Sequence, residues 1–272
     1  MSKARIKPYI ASTSTDQNER IEHNLKQLAL TGMLPFFIKY AEENIENNST
    51  PKDYLELLLE VQRAYKENER IDRGLRRAKF IKIQTFDEFK FYRLSIANQK
   101  QVKDLATCTF INKNKNVVIL GWSGVGKTHI ARAVGTEAVI QGKDVRFIKL
   151  DDLIKDLTYK YRDSDSQHKF LTTLEKPELL ILDEIKEQTV SPIVAELLYE
   201  LIDQRYGQKA TIFTTNKTFS EWGELFGDNA SATVDRIIDK DFLVLIKIEA
   251  PSYRADRGKE DQRNLFTNVN SA

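Results

Sequence analysis

The chain reads as an α/β protein, a parallel sheet flanked by helices and preceded by a small all-helical N-terminal domain, and three observations predict this. From about Ile21 to Ala78 the apolar residues recur at helical spacing. From about Asn116 the pattern changes to short β-branched runs that alternate with helix-like segments, the arrangement of a parallel sheet covered on both faces. The first of those runs enters a glycine-rich turn and then a helix.

The elements follow in order. Thr50 offers an N-cap, Pro51 suits the first helical position and Asp53 completes a capping box, so a helix is expected to start there. The segment Asn98 to Val102 is polar and follows the last strong helical pattern, which places a domain boundary near residue 100. The expected division is a helical domain over 1–100 and an α/β domain over 101–272. Strands are expected at Val117–Leu120, Val145–Lys149, Leu179–Leu182, Thr211–Thr214 and Phe242–Ile246. The tail after Arg254 is polar and is expected to be loosely held.

With 272 residues the chain can bury one sizeable core and a smaller unit. Its 41% hydrophobic and 30% charged residues, with 11 Gly and 6 Pro, belong to a globular protein. No stretch reaches the roughly 18 apolar residues of a spanning helix and the start lacks the apolar core of a secretory signal, so a cytoplasmic protein without membrane contact is expected. Cys108 is alone and reads as a small buried hydrophobe. His23, His129 and His168 share no ligand spacing. The net charge of +2 is too small to demonstrate a nucleic-acid partner.

The residues Gly121, Trp122, Ser123, Gly124, Val125, Gly126, Lys127 and Thr128 satisfy G-x-x-x-x-G-K-[ST] between a strand and the helical segment from His129 to Ile140. Glycines let the backbone turn its N–H groups toward phosphate oxygens, and the helix N-terminus adds partial positive charge. Lys127 supplies a point charge for the β and γ phosphates, and the Thr128 hydroxyl is suited to ligating Mg²⁺. The three-glycine G-x-G-x-x-G spacing of a dinucleotide fingerprint is missing, which disfavours nicotinamide cofactors. The second half of the site is Asp183 and Glu184, delivered by the apolar run Leu179–Leu182 to a strand's C-terminal end. Asp183 is expected to hold Mg²⁺ and Glu184 to orient the attacking water, so hydrolysis of ATP to ADP is favoured over transfer to another substrate.

The segment from Thr214 through Asn216, Phe219, Glu221, Trp222 and Phe226 to Asp228 resembles the T-S-N-x-x-F-S-E-W-x-x-x-F-G-D signature of the IstB-like transposition helpers. Leu28 to Met33, Gly126 to His129, Arg205–Tyr206, Asp235–Arg236 and Ser252 to Arg254 fit in order, so the similarity runs from about Leu25 to Arg254. The same family resembles the DnaC-type replicative helicase loaders. What the resemblance implies is an AAA+ core that assembles head to tail on double-stranded DNA, with ATP at the seam between subunits and an IstA-like transposase as partner. It also implies roles by matching position: Asn216 as the sensor of the γ phosphate, Arg236 as the finger donated to a neighbour, and His129 and Arg254 as nucleotide-site residues, Arg254 being the second sensor. The alternatives are a turn residue at Asn216 and surface ion pairs at the two arginines. Two stretches depart from the family: Ile185 to Pro192 is polar, and Ile237 to Lys240 replaces a His pair. A helicase loader, or a nucleotide-gated DNA scaffold with little turnover, are the competing readings.

Two stretches are candidates for DNA. At 100° per residue Arg63, Lys66, Arg70, Arg73 and Arg77 fall on one arc opposite the apolar face, although Glu67, Glu69 and Asp72 also suit a solvated surface. Lys155, Tyr159, Lys160, Tyr161 and Arg162 alternate cations with aromatics that could stack on bases or belong to the core.

Overall fold

The computed structural model describes residues 14–161, 163–186, 189–250 and 252. Arg162 and Arg254 therefore lie outside the described residues. By packing, the chain divides into a unit up to Asp72 and a unit from Arg73 onward.

The first unit holds α1 (Ser14–Gln27), α2 (Phe37–Glu46) and most of α3 (Pro51–Ala78). The expected capping box forms at the start of α3: Thr50 N–H donates to Asp53 Oδ2 at 2.7 Å, and Asp53 N–H donates back to Thr50 Oγ1 at 3.3 Å. The Thr50 N–H, together with the Thr50 hydroxyl that donates to the same oxygen at 2.8 Å, holds the Asp53 carboxyl below its ordinary pKa. A small core of Met33, Phe37 and Leu58 is lined by Leu25, Leu30, Phe36, Tyr40 and Tyr54. Gly32 is required there, because a Cβ would fall 2.5 Å from Tyr65 Cβ, and its N–H donates to the buried Gln62 side chain at 2.9 Å.

The second unit begins with the last turns of α3 and adds α4 (Ile96–Ala106), α5 (Thr109–Asn112), β1 (Asn116–Gly121), α6 (Lys127–Ile140), β2 (Val145–Lys149), α7 (Leu150–Lys155) and α8 (Ser164–Glu175). It continues with β3 (Leu179–Ile185), α9 (Pro192–Arg205), β4 (Ala210–Thr215), α10 (Gly223–Phe226), α11 (Ala230–Ile238) and β5 (Leu243–Ile248). The packing division falls at residue 72, not near the expected residue 100. Side chains from 73–100 dock on the α/β layers: Phe80 closes on Gly135 and faces the Phe147 ring, and Asn98 Nδ2 donates to Lys247 O at 2.9 Å.

All five expected strands form one parallel sheet in the order β2-β3-β4-β1-β5. The three central strands are fully or nearly fully buried, which is why they read as unbroken apolar runs, while β5 lies at an edge and keeps exposed positions. The main core joins Leu180, Leu182, Phe213 and Trp222 with Leu153, Leu174 and Leu198 from the covering helices. Arg205, 2% exposed, is built into this layer, donating to the carbonyls of Leu174, Glu175, Pro177 and Ala210 and to Thr211 Oγ1. Cys108 is buried at 1% exposure, as expected of a hydrophobe. Among the described residues no helix is long and apolar enough to cross a membrane.

Because β4 lies between β1 and β3, three chain exits stand side by side at the C-terminal edge of the sheet. The glycine turn leaves β1, the acid pair ends β3, and Asn216 follows β4.

Candidate nucleotide site

The glycine turn requires its glycines for different reasons. Gly124 (φ 83°) and Gly126 (φ 97°) hold left-handed backbone, and a Cβ at Gly121 would fall 2.6 Å from Ile248 O on the neighbouring strand. Lys127 Nζ donates to the carbonyls of Gly121 at 2.8 Å and Trp122 at 2.9 Å, which places the ammonium at the mouth of the loop. Trp122 itself is 77% exposed on the rim.

The acid pair meets the loop through Thr128, whose hydroxyl donates to Asp183 Oδ1 at 2.8 Å. A second hydroxyl, from Thr214 on β4, donates to the same oxygen at 2.6 Å. Burial pushes the Asp183 carboxyl above its ordinary pKa, against the pull of those two hydroxyls. Its other oxygen, Oδ2, is buried without a hydrogen-bond partner among the described residues. An orphaned carboxylate oxygen beside a threonine hydroxyl is a donor set that suits a hard cation. Among the described residues no group of three or more His, Cys, Asp or Glu side chains gathers for a metal.

Glu184 is turned out of the strand by its backbone. It holds φ 63° at an irregularity in the β3–β4 ladder between Leu182 and Ile185, and its N–H donates to Thr214 Oγ1 at 2.9 Å. Thr214 therefore fixes both members of the acid pair. Lys149, at the end of β2, places Nζ 2.9 Å from Glu184 Oε2, and that hydrogen bond raises the lysine's pKa. Arg132 on α6 stacks its guanidinium 4.7 Å over the Phe147 ring. Burial lowers its pKa against the pull of Asp183 and Glu184. Lys149 and Arg132 carry no motif signal in the sequence, and Thr214 is read there only as a strand end and the start of the family signature; the packing of the sheet and of α6 brings all three to the acids.

The remaining expected residues are placed as follows. Asn216 is exposed directly beyond β4, between the two halves of the site. His129 turns its ring to the chain before α4, donating from Nε2 to Thr85 O at 2.9 Å and meeting Phe89 edge-on. Arg236 on α11 donates to Asp203 Oδ1 at 2.5 Å and to Ala232 O at 3.1 Å, with its guanidinium 5.0 Å over the Tyr199 ring. Its carbonyl accepts from Asn116 Nδ2 at the first residue of β1, so within its own chain it sits at the far end of that strand from the loop. At roughly 3.3 Å per residue the strand separates them by about 16 Å.

Of the DNA candidates, Arg63, Lys66, Arg73 and Arg77 are exposed, while Arg70 is half-buried and paired twice with Glu67, at 3.0 and 2.6 Å. Lys155, Lys160 and Tyr159 are exposed, the last two on a π-helical turn from Asp156 to Lys160. Tyr161 instead stacks on Phe170 with ring centroids 4.5 Å apart, which makes it a core aromatic.

A glycine turn at the end of β1, a buried acid near the end of β3 and a fourth strand between them define a P-loop nucleotide-binding protein of the AAA+ fold. Solved structures agree on the fold: a DnaA replication initiator bound to AMPPCP and single-stranded DNA matches with TM-score 0.52, 20% identity and 61% of this chain against 50% of that one. DnaI matches with TM-score 0.50, 18% identity and 62% of this chain against 89% of that one. The family model of the IstB-like ATP binding protein matches residues 23–261, and the chain belongs to that family. A relative named for ATP binding in insertion sequence IS5376 of Geobacillus stearothermophilus is 31% identical over 90% of this chain and 98% of its own length. One from IS21 of Pseudomonas aeruginosa is 37% identical over 66% of this chain and 68% of its own.

Proposed function

We propose that the chain is an ATP-hydrolysing AAA+ subunit that assembles on double-stranded DNA and serves a transposase, with each ATP site completed by a neighbouring copy. The observation that supports this reading is the junction of Thr128, Thr214 and Asp183, with Lys127 in the adjoining loop and the Glu184 N–H bonded to the same Thr214 hydroxyl.

In this reading the loop N–H groups and Lys127 hold the phosphates. Thr128 and the orphaned oxygen of Asp183 hold a magnesium ion, which when bound offsets phosphate charge. Glu184, half exposed, orients water, and its ion pair with Lys149 has to open for that. Asn216 reads the γ phosphate from between the two strands. Arg236 serves the neighbour's site, a role supported by its distance from the loop of its own chain. The His129 backbone, its ring being turned to Thr85, and Arg254 border the nucleotide, and the basic face of α3 with Lys155, Tyr159 and Lys160 contacts the duplex. The names of the relatives, which tie ATP binding to insertion sequences, support the transposase partner.

Steady-state phosphate release with and without duplex DNA tests the reading. Release is expected to need magnesium, to rise with DNA and to vanish in Glu184→Gln while nucleotide binding persists. Release that survives that substitution unchanged would sink the assignment of hydrolysis to this site.

A further inference from the structure

One side of α6, the helix that begins at the phosphate loop, is covered by the last turns of α3 and by the chain that leads from α3 to α4. The contacts follow one another along the helix. A Cβ at Gly74 would fall 2.6 Å from Val139 Cγ1, and one at Gly135 would fall 2.7 Å from Phe80 Cζ, so both glycines mark close approach. Nearer the loop, Arg132 Nη1 lies 3.5 Å from Gln84 Oε1. At the loop end His129 Nε2 donates to Thr85 O at 2.9 Å, and Phe89 meets the imidazole edge-on with centroids 5.2 Å apart. Positions 139, 135, 132 and 129 step by three or four residues and so share one face of the helix. The covering strap, residues 79–95, runs antiparallel to it from Phe80 to Thr85, and Thr85 and Phe89 meet the residue that follows Thr128.

We propose that His129 is a positioning residue that couples the first turn of α6 to this strap, so that order imposed on the phosphate loop is passed to residues 79–95. The inference rests on the nucleotide reading of the loop. Lys127 and Thr128 belong to the same helical turn as His129, so clamping them on phosphates restricts the backbone that aims the imidazole. A ring bonded on one atom and packed on its edge has no other orientation that keeps both contacts. The coupling is reciprocal: releasing the strap loosens the turn and weakens nucleotide binding.

The test is hydrogen exchange on the full chain with magnesium and AMPPCP, alongside the affinity for that nucleotide. In the unsubstituted protein, peptides covering 121–128 and 79–95 are both expected to exchange more slowly with nucleotide. In His129→Ala the loop stays protected at saturation, the strap loses its response and affinity falls about fivefold. His129→Gln, which keeps a donor able to reach Thr85 O, restores the strap's response; a merely structural histidine would slow or speed exchange independently of nucleotide. A strap response unchanged in His129→Ala overturns the proposal, as does a protected loop with an indifferent strap in the unsubstituted chain. Should His129→Ala fail to fold, Phe89→Leu is expected to halve the response, and no change there overturns the proposal equally. A loop that gains no protection refutes the nucleotide reading itself, and the coupling with it.

Discussion

Lys149 Nζ stands 2.9 Å from Glu184 Oε2, holding the carboxylate expected to orient water on the β2 side of the site. The side chains are 30% and 47% exposed, and an ion pair so wetted is worth about 0–1 kcal/mol. Such a pair opens readily. Lys149→Ala is expected to raise phosphate release in the absence of DNA severalfold and to leave nucleotide affinity nearly unchanged. A basal rate equal to that of the unsubstituted protein would show that the pair does not restrain Glu184.

Thr214 makes two bonds with one hydroxyl, donating to Asp183 and accepting from the Glu184 N–H. Thr214→Val keeps the shape, removes one of the two hydroxyls that donate to Asp183 Oδ1 and leaves the Glu184 N–H unmet, at a cost of about 1–3 kcal/mol. The expected result is a kcat roughly tenfold lower or worse with a small change in KM, since about 1.4 kcal/mol of transition-state stabilisation is a factor of ten. Thr214→Ser, which keeps the hydroxyl, should retain most of the rate. A Val variant with normal kcat would show that the hydroxyl does not organise the acids.

Arg236 faces Asp203 and Tyr199, far along β1 from the loop of its own chain. If it acts on a neighbour, Lys127→Ala and Arg236→Ala are each inactive alone, yet their mixture recovers activity, because one copy supplies the finger and the other the loop. Recovery of a substantial part of the activity is the expected outcome of mixing them on DNA. A mixture no better than its components would exclude action between copies.

Arg205 donates to four backbone carbonyls and one threonine hydroxyl while almost wholly buried. Arg205→Met leaves the carbonyls at the end of α8 without donors, and a loss of roughly 3 kcal/mol or more is expected. Urea unfolding measures it; a loss below about 1 kcal/mol would show that water replaces the guanidinium.

Burial pushes the Cys108 thiol up to about 11, from an ordinary value of 9.0. The folded chain thus holds the neutral thiol where the unfolded chain ionises. Stability from this source is complete below pH 9 and declines as pH rises from 9 toward 11. Alkylation at pH 8 should be slow in the native protein and fast in denaturant; equal rates would contradict the burial of the thiol.

Everything that depends on neighbouring residues in the chain was readable before any coordinates. The glycine turn, the apolar run ending in Asp183 and Glu184, the capping box at Thr50 and the five strand runs are each contiguous, and periodicity or backbone conformation specifies them locally. The expected boundary near residue 100 misplaced the packing division for the opposite reason. Residues 73–100 look helical or polar along the chain, and it is their docking on the α/β layers that assigns them to the second unit.

The partners of the acids belong to tertiary structure alone. Parallel strands are joined by long crossovers, so adjacent strands are distant in sequence: Lys149 is 35 residues from Glu184, and Thr214 is 31 from Asp183. The β2–β3 and β3–β4 pairings set those meetings, and the length of β1 sets the opposite placement of Arg236 and the loop. Strand order follows from how the whole chain buries its apolar faces. No local pattern carries it, and so the sequence names the chemistry while the packed sheet chooses which groups control it.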